Sequence, residues 1–356
     1  MNYVKSFVLC ALATAIAQPA FAGDGTDMPP ETMAQPEPAQ QEPVYKMVEE
    51  PEPAKPIAHK HHKEHIHHVF APIEVMGDHL HPEGQWMLSY RYKRHFMHGN
   101  RIGNSRVDLS DVYNLGFTVA QKEMTVDTHL FNLMYGVNDN FTLSATAPYL
   151  VKDGDLRTSG GTDFSTESKG LGDLKVAGLM KTGERGIFKL GVSLPTGDID
   201  KRDTTPSGYI KLPYGMQLGS GTYDLLAGYT WQHNDNPTFY GTQVDTTFRT
   251  GKNDNEYRLG NEYKLTSWVG RKVTERSDVT FRVLGRLRGE VHGADSDLNA
   301  ATNPANAADN YENAVVETAV GYSYTADRGA LKGHRFAAAF IVPVYQNMEG
   351  PQLETD

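Results

Sequence analysis

The chain has 356 residues, with 34 lysines and arginines against 44 acids, and a formal net charge of −10. This acidic balance argues against a nucleic-acid partner, which would require a basic face. Cys10 is the only cysteine, so the chain cannot form an intramolecular disulfide.

Residues 1–22 predict a secretory signal peptide. Lys5 supplies a short positive region, the stretch 7–16 is apolar, and Ala20-Phe21-Ala22 is a small-residue cleavage site. The apolar stretch is too short to span a bilayer as a helix. The alternative is a retained N-terminal anchor. We therefore expect an exported protein whose mature chain begins at Gly23.

Two further segments precede the folded part of the chain. Residues 23–58 contain 8 of the 19 prolines and almost no large apolar side chains, which predicts a disordered linker rich in Pro, Glu and Gln. Residues 59–83 form a histidine-rich segment that we expect on the periplasmic side.

The histidines of this segment are candidate metal ligands, because imidazole suits copper, zinc and nickel. The alternative is a solvated tail that is simply rich in histidine, and the spacing does not decide between them. No cofactor is required by the sequence, and copper or zinc is the candidate metal. The candidate ligands are His59, His61, His62, His65, His67, His68, His79 and His81.

From about residue 84 onward, apolar residues recur with period two, which is typical of β-strands with one apolar face. In the run that begins at Trp86, large apolar residues occupy most alternate positions. Each run has roughly 10 residues or more, enough for a tilted strand to cross a bilayer. The sequence therefore predicts an all-β fold, an antiparallel transmembrane β-barrel over residues 84–356, behind a disordered N-terminal arm.

The pattern shows eleven strands whose connections alternate between long and short. Only the seventh connection, at 250–255, does not stand out as long. Such alternation is typical of a barrel whose two rims face different compartments, whereas the alternative, a soluble β-domain, has no reason to keep it. The strands lie near 84–97, 122–136, 140–151, 171–182, 186–195, 221–233, 238–250, 256–271, 278–292, 312–325 and 332–345.

Eleven is an odd number, and bacterial barrels usually have an even one. We therefore expect about twelve strands, with the closing strand missing beyond Asp356 because of C-terminal truncation. The alternative is that one strand has been merged or split in the assignment.

Three strings occur in order along the barrel: GLGDL at 170–174, SLPTG at 193–197 and LGSGTYD at 218–224. Together with VMGDH at 75–79, WMLSYRY at 86–92, RLGN at 258–261 and GPQLETD at 350–356, they resemble the family of outer-membrane barrels named for the meta-pathway of phenol degradation. The resemblance covers about residue 70 to the end. It implies a channel or transporter for small, hydrophobic or aromatic molecules, and no established catalytic residues. The glycines themselves are expected to shape strand ends rather than bind ligands.

Charged side chains recur at even spacing on the eighth and ninth strands. Charge is costly on a lipid-facing surface, so we expect these residues to line the lumen. There they would either pair to brace a narrow pore or bias its ion selectivity. They are Arg258, Glu262 and Lys264 on the eighth strand, and Arg282, Arg286, Arg288 and Glu290 on the ninth.

These observations leave three functional hypotheses. The first is passage of small molecules across the outer membrane of a Gram-negative bacterium, with outer-membrane lipid, a small-molecule solute and the barrel assembly machinery as partners. The second is metal handling, with the histidine-rich arm collecting copper or zinc. The third is a barrel enzyme using His129 or His334, but no serine lies in a recognisable partner motif, so the sequence favours a protein that is not an enzyme.

Overall fold

The structure, a computed structural model, describes residues 71–356 and consists mainly of antiparallel strands. In chain order these are β1 (Trp86–Gly103), β2 (Ser105–Val107), β3 (Val119–Asn138), β4 (Phe141–Thr158), β5 (Asp163–Leu171), β6 (Leu174–Thr182), β7 (Gly186–Leu194), β8 (Arg202–Thr205), β9 (Gly208–Lys211), β10 (Asp224–Asp235), β11 (Thr238–Arg249), β12 (Tyr257–Arg258), β13 (Glu262–Lys272), β14 (Ser277–Arg288), β15 (His292–Gly293), β16 (Asn313–Thr325) and β17 (Arg335–Thr355).

Eleven of these strands form one ring in which each strand pairs with its neighbour in chain order. They are β1, β3, β4, β6, β7, β10, β11, β13, β14, β16 and β17. The remaining strands belong to the connections or, like β5, extend one wall at the rim. The all-β antiparallel barrel predicted from the sequence is therefore confirmed, with eleven strands in the ring rather than about twelve.

Helical structure is confined to the connections. Leu109–Asn114 forms an α-helix (α1), and Tyr214–Met216, Pro304–Asn306, Ala308–Tyr311 and Gly329–Leu331 form 3-10 turns. Within residues 71–356, no helix is long and apolar enough to cross a membrane.

The alternation of side chains along each strand explains why the sequence forms a ring. On β14, Phe281 and Val283 point outward and stay exposed, whereas Thr280, Arg282 and Leu284 are buried on the inside. Successive side chains of a strand lie on opposite faces, so period two separates an apolar exterior from a polar interior.

The connections alternate as predicted, and the seventh conforms to the pattern. Because β11 ends at Arg249 and β13 begins at Glu262, this connection covers residues 250–261. The prediction that the eighth strand begins near 256 was wrong, because residues 257–258 form β12, which pairs with β15 outside the ring. Likewise β14 ends at Arg288, before the predicted residue 292.

The ring closes between β17 and β1, and this pairing is antiparallel. Eleven strands that simply alternate in direction would leave these two parallel. The pairs run from Met97 opposite Thr355 to Gly103 opposite Met348. Among the described residues, Trp86 to Phe96 of β1 pair with β3 alone, and Arg335 to Gln346 of β17 pair with β16 alone.

A reversal inside β17 produces the antiparallel closure. Gln346 Nε2 donates to Thr355 O over 2.7 Å, and Thr355 N donates to Gln346 Oε1 over 2.9 Å. In a straight strand, residues nine apart would be roughly 30 Å from each other. The chain therefore turns near Gly350, where φ is +70°. The descending segment that reaches β1 is thus residues 351–355, whereas the sequence analysis had placed a closing strand beyond Asp356.

Candidate transport lumen

The outer surface of the ring is apolar and the inner surface is polar. Leu88 and Phe340 keep 76% and 75% of their surface exposed on the outside, whereas Thr142 and Thr230 are buried on the inside. Water would disfavour such an apolar exterior. A bilayer favours it, because hydrocarbon covers the apolar band.

Residues 71–85, which precede β1, lie inside the barrel at the end of the short turns, and we call them the plug. Gln243 Nε2 donates to Met76 O over 2.8 Å, and Gln232 Nε2 donates to Asp78 O over 2.6 Å. Both amides occupy inward positions of the wall. The wall therefore satisfies carbonyl groups of a segment that lacks regular secondary structure.

A buried carboxylate organises the plug. Asp78 Oδ2 accepts a hydrogen bond from Ala71 N over 2.9 Å, and Asp78 Oδ1 lies 2.8 Å from His79 Nδ1. Burial opposes the charge of Asp78, but His79 and the hydrogen bonds outweigh it and lower the pKa of Asp78 to about 2. Burial also opposes the charge of His79, but Asp78 outweighs it and raises the pKa of His79. Arg335 also donates to Ala71 O over 3.1 Å.

An ionic contact joins the plug to β14 and β16. Arg282 is almost fully buried, with its Nε 3.6 Å from Glu74 Oε2 and its NH2 group 3.9 Å from Glu317 Oε2. Glu74 belongs to the plug and Glu317 to β16. Arg282 therefore faces the lumen, where its charge is shared between the plug and the wall.

Apolar contacts and one glycine seat the plug against the wall. Val75 packs with Phe239 and Trp268 in a buried cluster. A Cβ atom on Gly136 would lie 2.1 Å from Pro82 O. Because real Cβ atoms do not approach an oxygen so closely, only glycine at this position of β3 lets the plug pass.

Three long connections, residues 195–223, 250–261 and 289–312, pack together at the opposite end, and we call them the lid. Tyr214, Tyr257, Val291 and Leu298 form its buried apolar cluster. Tyr311 Oη accepts from Gly215 N over 2.9 Å and donates to Ala305 O over 2.8 Å. The lid therefore has a small core of its own.

An ion triad also joins two connections of the lid. Lys211 Nζ lies 2.6 Å from Asp200 Oδ1 and 2.6 Å from Asp295 Oδ2. Burial opposes the charge of Lys211, but the two carboxylates outweigh it and raise its pKa. Removal of either acid would leave a buried charge only partly compensated.

The three strings GLGDL, SLPTG and LGSGTYD meet at one point on the long-loop rim, which we call the rim knot. Asp173 Oδ1 accepts from Gly197 N over 3.0 Å, and Asp173 Oδ2 accepts from Ser220 N over 2.8 Å. Ser220 Oγ lies 2.9 Å from Asp173 Oδ2 and 3.0 Å from Asp224 Oδ2. A Cβ atom on Gly219 would lie 2.5 Å from Asp173 Oδ1. These strings therefore serve the architecture of the rim.

A cavity of roughly 1830 Å³ fills the barrel between plug and lid. Its floor includes Ile73 and Met76 of the plug, and its roof includes Tyr214 and Gln217 of the lid. Apolar and charged side chains of the wall line the space between them. The plug and the lid thus bound this volume toward the two rims, and residues 90–96 of β1 and 337–343 of β17 line it at the side, where these two strands do not pair with each other.

Six cations of the wall line the middle of this cavity, and we call them the cationic belt. Glu262 lies 3.0 Å from Arg288 and is also paired with Lys264. Lys152 donates to the carbonyls of Gly215 and Gln217 over 2.8 and 2.6 Å. The belt consists of Lys93, Lys152, Lys175, Lys264, Arg286 and Arg288.

The seven charged residues predicted to line the lumen are thus placed in three settings. Glu262, Lys264, Arg286 and Arg288 lie at the cavity, and Arg282 lies at the plug. The remaining two residues are in the lid rather than on ring strands. There, Arg258 donates to Arg249 O over 3.4 Å, and Glu290 lies 3.6 Å from His292.

The metal prediction falls mostly on residues that the structure does not describe, since His59, His61, His62, His65, His67 and His68 lie outside 71–356. His79 and His81 belong to the plug, with ring centroids 5.0 Å apart. In the described part of the chain, no three His, Cys, Asp or Glu side chains are grouped to hold a metal ion.

The two histidines considered for a barrel enzyme occupy different surroundings. His129 Nδ1 lies 2.8 Å from Tyr90 Oη on the outer face. His334 Nδ1 lies 3.1 Å from Leu331 O in a short turn. Within residues 71–356, neither has a hydrogen bond to a serine that would make it a general base.

Two features of the site were missed in the sequence analysis. The segment assigned to a periplasmic arm enters the lumen from residue 71 onward, and the lid closes the other end. The available signal for the plug was the string VMGDH at 75–79, whose acid and histidine form the buried pair described above.

An apolar exterior around a polar, internally plugged lumen is the arrangement of a membrane-type β-barrel. The chain belongs to the family described as "Putative MetA-pathway of phenol degradation", whose model matches residues 108–329. This confirms the resemblance seen in the sequence. A comparison with curated proteins found no match.

Several solved structures are similar to the chain. An outer membrane channel from Pseudomonas putida F1 has 13% identity and a TM-score of 0.49, covering 78% of this chain and 95% of that one. A FadL homologue from Pseudomonas aeruginosa has 12% identity and a TM-score of 0.37, covering 76% and 74%. The CymD monoaromatic hydrocarbon channel has 9% identity and a TM-score of 0.37, covering 77% and 87%.

Proposed function

We propose that the protein is an outer-membrane channel that passes small hydrophobic or aromatic molecules, with its short turns and N-terminal arm on the periplasmic side. The observation that carries this proposal is the cavity of roughly 1830 Å³ between plug and lid. A lumen filled only by packed side chains would serve a structural barrel, whereas this one holds room for a solute.

The lining of the cavity supports an apolar cargo. Met97, Met124, Leu226 and Leu284 contribute apolar surface to a wall that also contains threonines and charged residues. Binding pockets for small organic molecules combine mostly apolar walls with a few polar groups that orient the ligand. Passage then requires the plug and the lid to move, because both block the lumen.

The proposal is tested by uptake in cells. We expect a host that expresses the full chain to accumulate radiolabelled phenol faster than the same host with an empty vector, whereas accumulation of radiolabelled glucose stays unchanged. Equal acceleration of both solutes would indicate a general pore. No acceleration of either would show that the barrel is not a channel for these molecules.

A second proposal is metal handling by the histidine-rich arm, favoured by the adjacent rings of His79 and His81 at the start of the barrel. Titration calorimetry of the full chain with Cu²⁺ and Zn²⁺ tests it. We expect binding that is lost when the six histidines at 59–68 are replaced by alanine and kept when His233 is replaced. Absence of binding by the unmodified chain would exclude this role.

A further inference from the structure

The cavity collects positive charge inside an acidic protein. Ten lysines and arginines line it against six aspartates and glutamates, although the chain as a whole carries a formal net charge of −10. The sign of the lumen is therefore opposite to that of the whole chain. Such a local excess raises the concentration of anions at the site, because low-dielectric walls focus the field.

Two belt cations face each other directly. Lys264 on β13 and Arg286 on β14 are cross-strand partners in the register of the sheet. Like charges in this arrangement destabilise the pair of strands. Glu262 is the nearby acid, and it is already engaged by Lys264 and Arg288. The wall thus holds Arg286 beside positive charge without a carboxylate of its own.

Other belt cations lie near these two. Lys93 lies within electrostatic range of Arg286 and of Glu317, and Lys175 lies within range of Lys264 and of Glu262. Across the described residues, no acidic oxygen lies within 4.0 Å of Lys93, Lys175 or Arg286. Lys93 and Lys175 are exposed in the cavity and Arg286 is half-buried, so an anion that enters the cavity can reach all three.

Apolar side chains lie next to these cations on the same strands. Leu150 is the inward residue that precedes Lys152 on β4, and Ala177 shares the inward face of β6 with Lys175; both line the cavity and are only half-buried. A small inorganic anion would leave these apolar surfaces in contact with water. A solute with one anionic group and an apolar body would cover them and neutralise the cations together.

Building on the function proposed above, we propose that the cationic belt binds the carboxylate of an anionic solute with an apolar body. The solutes that the channel passes then include aromatic or aliphatic monocarboxylates. Arg286 and Lys175 are the principal binding residues, because among the described residues no acidic oxygen lies within 4.0 Å of either. Arg286 offers the planar donor pair that matches a carboxylate.

Calorimetric titration of the full chain in a neutral detergent tests the proposal with two probes, benzoate and its neutral analogue benzamide. We expect benzoate to bind at least about tenfold more tightly, equivalent to about 1.4 kcal/mol, because a charge-assisted contact to the belt is absent from benzamide. Benzoate binding should weaken as salt is added, because ions screen the belt.

Variants assign the binding to the belt. In the double variant R286Q/K175Q, benzoate affinity should fall to that of benzamide, and R286K should retain part of it. The matched control is K169Q, which removes an exposed cation of β5 that is paired with Glu167 outside the lumen. Heat-dependent gel mobility shows whether each variant is folded.

The outcomes separate this inference from the proposed function. Equal binding of benzoate and benzamide, or benzoate binding that survives the double variant, would overturn the belt as a carboxylate site. The phenol uptake experiment would still decide the channel function independently. Conversely, benzoate binding through the belt without any phenol uptake would support the site and reject the neutral-aromatic cargo.

Discussion

Arg282 and Arg286 lie on the same face of β14, four residues apart, yet their surroundings differ. Arg282 lies between Glu74 of the plug and Glu317 of the wall. Arg286 faces Lys264 and has no acidic oxygen within 4.0 Å among the described residues. The difference shows that an inward charge becomes structural where the chain supplies a partner, and stays available for a solute where it does not.

The same contrast holds between the plug with its wall contacts and the cationic belt. At the plug, the inward amides of Gln243 and Gln232 donate to backbone carbonyls. At the belt, Lys264 and Arg288 are paired with Glu262, Lys152 donates to two lid carbonyls, and the other three cations have no acidic oxygen within 4.0 Å among the described residues. The inward side chains at the plug therefore have their partners within the protein, whereas part of the belt is left for a partner from outside.

The largest effect is expected from G136V, because its side chain would occupy the space of the Pro82 carbonyl. The plug should leave its seat, and the single-channel conductance should rise several-fold. The matched control is G285A, since a Cβ atom there has no neighbour within 4 Å. Unchanged conductance, together with unchanged hydrogen exchange in residues 71–85, would contradict the assigned position of the plug.

The next prediction sets the two arginines of β14 against each other. R282Q leaves Glu74 and Glu317 as buried acids without their cation, and should reduce the free energy of unfolding by about 3 kcal/mol. R286Q removes a repelled cation, and should change it by less than about 0.5 kcal/mol. Thermal unfolding in detergent, followed by gel mobility, measures both. An equal loss of stability in both variants would contradict the distinction between Arg282 as a structural residue and Arg286 as a binding residue.

A third prediction concerns the rim knot, in which Asp173 accepts hydrogen bonds from two other connections. D173A leaves the amides of Gly197 and Ser220 without their acceptor, and should cost about 2 kcal/mol of stability. D254A, which changes an exposed acid of the lid, is the control and should be close to neutral. If thermal unfolding gave the same midpoint for both variants, the structural role of the three strings would be rejected.

The smallest effect is the pH dependence of the plug. The pKa of His79 is raised above 6.5, so its contribution is complete below pH 6.5 and is lost as the pH rises through the raised value. The pKa of Asp78 is lowered from 3.8 to about 2, so its contribution is complete above pH 3.8 and is lost as the pH falls toward 2. The plug should therefore be most stable in its position between pH 3.8 and 6.5.

Hydrogen exchange of residues 71–85 at pH 5 and pH 8, corrected for the intrinsic rate, measures this dependence. We expect H79Q to reduce the difference in exchange rate between pH 5 and pH 8, because it removes the group that titrates in this range. H233Q, on the outer face of β10, should keep the dependence of the unmodified chain. A plug that exchanges equally at both pH values would show that the pair with Asp78 does not hold it in place.

The sequence by itself determined the barrel. Period two is a local property of a strand, so the alternation at Phe281, Arg282 and Val283 was sufficient to assign an apolar exterior and a polar interior. The alternation of long and short connections likewise predicted that the long connections share one rim. The inward position of Lys264, Arg286 and Arg288 also followed from their even spacing.

Only the tertiary structure decided how these inward residues are used, because their partners are remote in the chain. Arg282 meets Glu74 across more than two hundred residues, and Asp173 gathers Gly197 and Ser220 from two other connections. The reversal near Gly350 is also defined by a contact between segments, through Gln346 and Thr355. Spacing along a strand gives the face of a side chain, whereas charge compensation depends on which distant segment packs against that face.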